Sequence, residues 1–152
     1  MRKKSAADVP LQLGNQLCFA VYSTAHAFNR VYKPLLEKLG LTYPQYLAML
    51  VLWERDNVPV KEIGEKLFLD SGTLTPLLKR LESAGLVKRT RGAEDERQVI
   101  VALTPQGRAL RDKAGAVPQG ILGATGCTVE ELVAMKDEIV ALRDRLNKAL
   151  GE

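Results

Sequence analysis

Apolar residues recur at helical spacing through the first part of the chain. Between Leu11 and about Leu39 the apolar positions fall three, four or seven residues apart, and Gly40 supplies a stop signal. This spacing predicts one long helix over residues 11–39. Pro34 is expected to bend that helix or to mark a break near its end.

Two short helices are predicted next. Residues Gln45–Trp53 are apolar almost all round and follow Thr42, an N-cap candidate, which predicts a short buried helix. Residues 58–60 are expected to be extended. The segment Val60–Leu69 has its apolar side chains on one face and predicts a second short helix.

A third helix, rich in basic residues, is predicted to follow at once and to run to Ser83. The turn residues 70–72 precede it, and its start is open between Ser71 and Thr73. Pro76 favours the later start, because a proline in the first turn of a helix removes no intrahelical hydrogen bond.

Two runs rich in Val and Ile, Leu86–Arg91 and Gln98–Leu103, flank a polar stretch and predict a hairpin with a charged tip. The order helix, turn, basic helix, hairpin predicts a mainly α fold with a small β-hairpin wing. This is a winged helix-turn-helix, placed at about residues 44–103. The alternative is a helical domain with an incidental hairpin.

The C-terminal third is predicted to be helical again. Thr104 is an N-cap candidate with Pro105 at the first helical position, and residues 115–126 contain a proline and four glycines, which indicate breaks or a weak, adaptable helix. A capping box at 128–131 starts a final helix. Its apolar stripe must be buried against another element or another subunit: Leu132, Met135, Ile139, Leu142, Leu146 and Ala149.

Composition narrows the class of protein. The chain has 152 residues, 46% of them hydrophobic and 26% charged, as expected of one globular domain spanning 1–152. The longest apolar runs fall short of the ~20 residues that cross a bilayer, and the start of the chain lacks the apolar stretch of a secretory signal, so we expect a cytoplasmic protein without membrane partners. A single histidine argues against a metal site, and no cofactor is expected.

Positive charge is concentrated in one window. Residues 79–91 contain five basic residues and one acidic residue, a balance of 5 − 1 = +4, which equals the net charge of the whole chain. A basic patch on the second helix and adjoining strand of a winged helix-turn-helix predicts binding to double-stranded DNA.

The predicted contacts with DNA follow from that placement. Side chains near the start of the basic helix are expected to face the major groove, while Arg97 at the wing enters the minor groove with Asp95 orienting it. The candidate DNA-binding residues are Thr73, Thr75, Lys79, Arg80, Arg91, Asp95 and Arg97.

The sequence also resembles the MarR family of winged-helix regulators. Asp95-Glu96-Arg97, Leu103-Thr104 and Gly107 match the family's signature D-x-R, L-T-x-x-G, and the likeness covers nearly the whole chain. The resemblance implies a homodimeric repressor of an inverted-repeat operator, with residues 11–39 and 105–150 as dimerisation helices.

Within that family, the regulators of organic hydroperoxide resistance are most similar. The residues that carry the likeness are Cys18, Tyr22, Tyr32, the stretch 43–46 and the stretch 70–80. It implies that organic hydroperoxide is the inducer, that Cys18 is oxidised first, and that release from DNA accompanies a disulfide to the second cysteine. That second cysteine is Cys127, and the implied thiolate-supporting tyrosines are Tyr22, Tyr32 and Tyr43.

Helix geometry adds a statement about assembly. Cys18 and Tyr22 are four residues apart and share a helical face. Tyr32 lies 32 − 18 = 14 residues along the same predicted helix, roughly 21 Å away, and cannot reach its own Cys18. If the implied contact exists, Tyr32 must come from the partner subunit.

Other functions stay open at this point. One alternative is a regulator of the same type that responds to a small aromatic ligand, and a weaker one is a thiol peroxidase that turns over peroxide at Cys18 and Cys127. A peroxidase has no use for a basic winged helix, so a regulator that is not an enzyme is favoured. Two buried structural cysteines are the remaining possibility.

Overall fold

The computed structural model describes residues 6–151, with side chains from Val9 onwards. Two short 3-10 helices come first, at Ala6–Leu11 and Leu13–Asn15. Seven α-helices and three strands follow in this described part of the chain: α1 Leu17–Glu37, α2 Tyr43–Glu54, β1 Val58–Pro59, α3 Val60–Leu67, α4 Ser71–Ser83, β2 Val87–Arg91, β3 Val99–Leu103, α5 Pro105–Ala114, α6 Ala116–Thr125 and α7 Val129–Leu150.

The fold divides into two compact units, with the boundary between Gly115 and Ala116. The first unit contains an antiparallel sheet in the order β1-β3-β2. Val58 of β1 and Arg89 of β2 both pair with Val101, so β3 lies in the middle. The mainly α fold with a small β wing is confirmed.

The core of the first unit is aliphatic. Helices α2, α3 and α4 pack against one another, and α3 and α4 also contact the sheet. The side chains least exposed to solvent are almost all Leu, Ile, Val and Met. The largest of those below 2% exposure in this unit are Leu36, Met49, Leu52, Ile63, Leu74, Leu78, Leu81, Val58, Val87 and Val101.

The first long helix starts later than its apolar pattern predicts. It begins at Leu17 with Gln16 in an extended conformation, and the residues before it form the two 3-10 helices. Pro10 and Gly14 account for the difference. Proline has no backbone N–H to donate within a helix, and glycine is unfavourable in a helix interior. Pro34 lies within α1 and does not end it.

Helix α4 starts at the earlier of the two predicted positions. Asp70 is the N-cap, and its carboxylate accepts the backbone N–H of Thr73 at 2.8 Å. Pro76 is therefore the sixth helical residue, and it has no N–H to donate to the carbonyl four residues back. The argument that favoured a start at Thr73 was wrong, because the aspartate cap stabilises the earlier turn.

Strand β3 runs into α5 without a loop. Thr104 caps α5, accepting the N–H of Gly107 at 3.0 Å, and donates its hydroxyl to the carbonyl of Gly85 at 2.6 Å. Trp53 donates its indole N–H to the carbonyl of Gly107 at 2.9 Å. The threonine and glycine of the L-T-x-x-G signature thus form a structural junction between the sheet, α2 and α5.

A carboxylate ties the same elements together. The carboxylate of Asp56, just after α2, accepts hydrogen bonds from the backbone N–H of Leu103 and from the guanidinium of Arg108 in α5, both at 2.8 Å. Burial alone would raise the pKa of Asp56, but the backbone N–H groups of Leu103 and Asn57 and the Arg108 guanidinium together hold that pKa below its usual value.

The second unit contains α6 and α7. Residues 116–125 form helix α6, with Gly115 between α5 and α6 and Gly126 just after α6, so the glycine-rich segment is helical within and broken at both ends, as two of its glycines indicated. Thr128 and Glu131 form the predicted capping box at the start of α7. No residue of α7 whose side chain is described is buried, although the helix has an apolar stripe.

Candidate DNA-binding surface and cysteine site

Helix α4 has one buried and one exposed side. Leu74, Leu77, Leu78 and Leu81 are buried. On the other side Thr73, Lys79 and Arg80 are exposed, and Thr75 is half-buried. The helix therefore presents a polar and basic surface while its leucines fix it to the core.

The wing is held in shape by hydrogen bonds at its turn. Gly92 donates its backbone N–H to the carbonyl of Gln98 at 2.8 Å, and Gln98 donates its backbone N–H to the carbonyl of Asp95 at 3.0 Å. The Asp95 carboxylate accepts the backbone N–H of Arg97 at 2.9 Å, so it positions the main chain of Arg97 and not its guanidinium. The side chains of Arg91 and Arg97 are exposed.

Cys18 is the second residue of α1 and is exposed to solvent. Gln16, the N-cap, makes no side-chain cap bond, so the first turn keeps backbone N–H groups without partners in the helix. One turn further on, the Tyr22 ring contacts His26 edge-on, with centroids 4.4 Å apart. Cys18, Tyr22 and His26 follow one another at intervals of four and lie along one face of α1.

Three tyrosines meet where α1 and α2 pack together. The Tyr32 ring centroid is 4.6 Å from that of Tyr43 and 6.0 Å from that of Tyr46. Burial, together with the neighbouring phenols of Tyr43 and Tyr46, raises the pKa of Tyr32 to about 12. Burial also raises the pKa of Tyr43, so both phenols stay protonated and can donate hydrogen bonds at physiological pH.

The structure places Tyr32 and Tyr43 together, whereas Tyr22 lies elsewhere on α1, beside His26. Cys18 and Tyr32 are both in α1, so the 14-residue separation (32 − 18) corresponds to roughly 21 Å along one helix. Within one chain the Tyr32–Tyr43 pair does not contact Cys18.

Cys127 occupies the turn between α6 and α7. Its N–H donates to the Thr125 hydroxyl at 3.3 Å, and its Sγ–H donates to the Thr125 carbonyl at 3.5 Å. Gly126 before it has a φ of 65°, a conformation that glycine adopts without strain. Cys127 is half-buried, and both cysteines are free thiols.

The sequence did not predict every residue of these surfaces. Tyr46 belongs to the tyrosine cluster, and its position three residues after Tyr43 on a helix was an available signal. Lys61 and Arg89 line a groove beside Thr75 and Arg97. Only tertiary packing brings these four side chains together, so sequence spacing gave no sign of the groove.

Two properties of the described residues bear on other classes of protein. No described helix combines the length and apolarity that crossing a membrane requires. Among the same residues, no three His, Cys, Asp or Glu side chains are grouped so that they could hold a metal ion.

The fold and its basic surface define a winged helix-turn-helix DNA-binding regulator. Residues 30–114 match the family model described as transcriptional regulator SarA/Rot. The chain belongs to this MarR/SarA family of winged-helix transcriptional regulators. The predicted resemblance is confirmed.

Particular relatives are similar over nearly all of the chain. The transcriptional regulator TtmR of Methylorubrum extorquens is 53% identical over 97% of this chain and 76% of its own length. The organic hydroperoxide resistance transcriptional regulator of Bacillus subtilis is 48% identical over 91% of this chain and 94% of its own. These relatives are regulators and not enzymes, in agreement with the predicted class.

Solved structures give the same fold. Reduced AbfR bound to DNA superposes with a TM-score of 0.74 at 38% identity, over 90% of this chain and 95% of that one. AbfR is a protein of Staphylococcus epidermidis. It has also been solved in a disulfide-formed state, with a TM-score of 0.63 at 38% identity over 88% and 93% of the two chains.

Proposed function

We propose that this protein is a cytoplasmic, homodimeric repressor that holds an inverted-repeat operator when reduced. In this proposal, organic hydroperoxide oxidises Cys18, a disulfide to Cys127 follows, and the protein leaves the DNA. The relatives support both the response to hydroperoxide and the redox-dependent DNA binding in this proposal. One relative is a regulator of organic hydroperoxide resistance, and another has been solved reduced on DNA and in a disulfide-formed state.

The observation that carries the proposal is the position of Cys18, a solvent-exposed residue in the first turn of α1. Backbone N–H groups without helical partners surround an N-terminal turn, and they stabilise a negative charge placed there. The thiolate is the form of a cysteine that attacks a peroxide, and the exposed Cys18 can be reached by a peroxide from solvent.

The proposed chemistry is a two-electron oxidation in two steps. The Cys18 thiolate attacks one oxygen of a hydroperoxide ROOH and breaks its O–O bond, which gives a sulfenic acid and, after protonation, the alcohol ROH. The Cys127 thiol then attacks the Cys18 sulfur, forms the disulfide and expels water. Tyr22 lies one turn from the reacting sulfur, and phenols of Tyr32 and Tyr43 from the partner subunit are proposed to donate to it.

A dimer is supported by the apolar side chains that the single chain leaves exposed. On α1 they include Leu17, Phe19, Val21 and Phe28, and on α7 they include Val133, Met135, Ile139 and Leu146. Monomeric soluble proteins rarely expose so many large apolar side chains on two helices. We propose that residues 11–39 and 105–150 form the dimer, so that the whole chain works as one MarR-type domain.

The test uses an operator duplex selected from a random pool by the reduced protein. The wild type should leave this duplex when cumene hydroperoxide is added and return after thiol reduction. Cys18→Ser should stay bound throughout. Cys127→Ser should form a sulfenic acid at Cys18 without a disulfide and proceed to sulfinic acid under excess peroxide, as seen by intact-mass spectrometry.

Two controls separate the alternatives. Salicylate without peroxide should leave the complex intact, whereas release by salicylate alone would indicate a ligand-responsive regulator. If Cys18→Ser leaves DNA on oxidation while Cys127→Ser does not, the roles of the two cysteines are reversed.

A further inference from the structure

A groove lies between α4, the wing and the junction of β1 with α3, all within the first unit. Its volume is about 340 Å³. Five polar side chains line it above an apolar floor: Lys61, Thr75, Arg89, Arg97 and Gln98. Three of the five are cations, although they come from a helix, a strand and the wing turn that are distant in sequence.

Arg89 is held in this groove by a neighbouring carboxylate. Its Nε donates to Glu82 Oε2 at 2.6 Å, and only 27% of the side chain is exposed. That bond uses one of the five N–H donors of the guanidinium. In the part of the chain that the structure describes, the terminal N–H groups of Arg89 make no other hydrogen bond. Glu82 therefore fixes the plane of the guanidinium while the remaining donors stay available.

DNA geometry places a phosphate chain over this groove. In the docking mode expected for the fold, α4 enters the major groove and the wing enters the adjacent minor groove. One sugar-phosphate backbone always separates a major groove from its neighbouring minor groove. That backbone must then cross the surface between α4 and the wing, where the groove lies.

We infer that the groove binds the phosphates of this intervening strand, with Arg89 and Lys61 as the residues that contact them. Glu82 is a positioning residue that orients Arg89. The inference rests on the DNA binding of the family and not on the hydroperoxide response. Phosphate contacts of this kind set affinity and register on the duplex but read no base sequence.

The test is the salt dependence of DNA binding by the reduced protein. Fluorescence anisotropy with a labelled random-sequence duplex and with the selected operator, between 50 and 200 mM KCl, gives the slope of log K against log salt. Each phosphate contact contributes about 0.9 to that slope. Arg89→Gln and Lys61→Gln should each reduce it by about 0.9 per bound protomer on both duplexes, and leave the ratio of the two affinities unchanged.

Matched variants exclude simpler explanations. Lys66→Gln removes one charge from the same helix as Lys61 but outside the groove, and should leave the slope unchanged. Glu82→Gln removes the ion pair but keeps the charge of Arg89, and should also keep the slope. A structural role for the pair would make Glu82→Gln and Arg89→Gln equivalent, and that result would overturn the inference.

Other outcomes also decide the question. An unchanged slope for Arg89→Gln, as expected if the groove receives a small organic anion, overturns the inference, and so does an equal loss for Lys66→Gln. All measurements are made without peroxide, so failure of the redox proposal cannot be mistaken for failure of this one.

Discussion

Tyr32 shows how burial fixes the chemistry of a single side chain. Its ring packs against Tyr43 and Tyr46, and the phenolate form loses hydration there without gaining a cation as a partner. The pKa of Tyr32 is therefore raised from 10.0 to about 12. A phenol that keeps its proton can donate a hydrogen bond to an anionic sulfur without becoming a competing anion.

The titration of Tyr32 has a predictable effect on stability. Because the folded state holds this proton more tightly than the unfolded chain does, the free energy of unfolding should fall as pH rises from about 10 to 12. Ultraviolet titration of the phenols should show a late step near pH 12, and Tyr32→Phe should remove it. In Tyr22→Phe, which alters a phenol outside the cluster, the late step should remain.

At the scale of elements, the junction of β3 with α5 explains why a glycine occupies position 107. A Cβ built on Gly107 would lie 2.0 Å from the carbonyl oxygen of Leu86, so no side chain fits. The backbone of α5 approaches the start of the hairpin this closely because Thr104 donates its N–H to the same carbonyl.

Gly107→Ala should therefore lower the free energy of unfolding by about 1–3 kcal/mol, the usual cost of overpacking. Gly123→Ala is the matched control, because a Cβ on that α6 residue meets nothing within 4 Å. The control should be neutral or gain up to about 1 kcal/mol from helix propensity. Urea denaturation of both variants decides the point, and equal stability of the two would show that the junction relaxes freely.

The wing should contribute directly to operator binding. Arg97→Ala should weaken binding to the selected duplex by about 1–3 kcal/mol and reduce the salt slope by about one ion per protomer. An affinity that does not change across the salt range would show that the wing does not contact DNA.

The elements were largely predictable from sequence, and the site only in part. Apolar spacing located α2, α3, α7 and the hairpin, because burial of one face imposes that period. It placed the start of α1 too early, since the same spacing continues through residues that Pro10 and Gly14 keep out of an α-helix. The first-turn position of Cys18 was missed for that reason. The groove beside Arg89 depends on tertiary packing and leaves no local pattern.

For the whole molecule, the apolar stripe of α7 is the feature that a single chain leaves exposed to solvent. Leu146 is 58% exposed and Ile139 is 55% exposed, although both belong to the regular stripe seen in the sequence. Burial of such side chains is worth roughly 25 cal/mol per Å² of apolar surface, which favours association.

Leu146→Asp should yield a folded monomer that no longer binds a two-site operator, because a dimer would have to bury an unpaired carboxylate at a cost of several kcal/mol. Sedimentation equilibrium measures the assembly state. Asn147→Asp adds the same charge on a different side of α7 and should remain dimeric. A Leu146→Asp protein that stays dimeric would show that this part of the stripe lies outside the interface.

The direct passage from β3 into α5 has a mechanical consequence. Leu103 ends the strand and Pro105 begins the helix, with Thr104 fastened to both the backbone of Gly85 and that of Leu86. Because these bonds fix α5 to the hairpin, we expect a tilt of α5 to carry the hairpin with it, and the five residues of β3 span about 17 Å between Thr104 and the wing turn. A tilt of α5 by about 10° displaces the tip by roughly 3 Å, about half the ~6 Å width of a minor groove. We therefore expect a small movement of α5 to be enough to take Arg97 out of its predicted alignment with the minor groove.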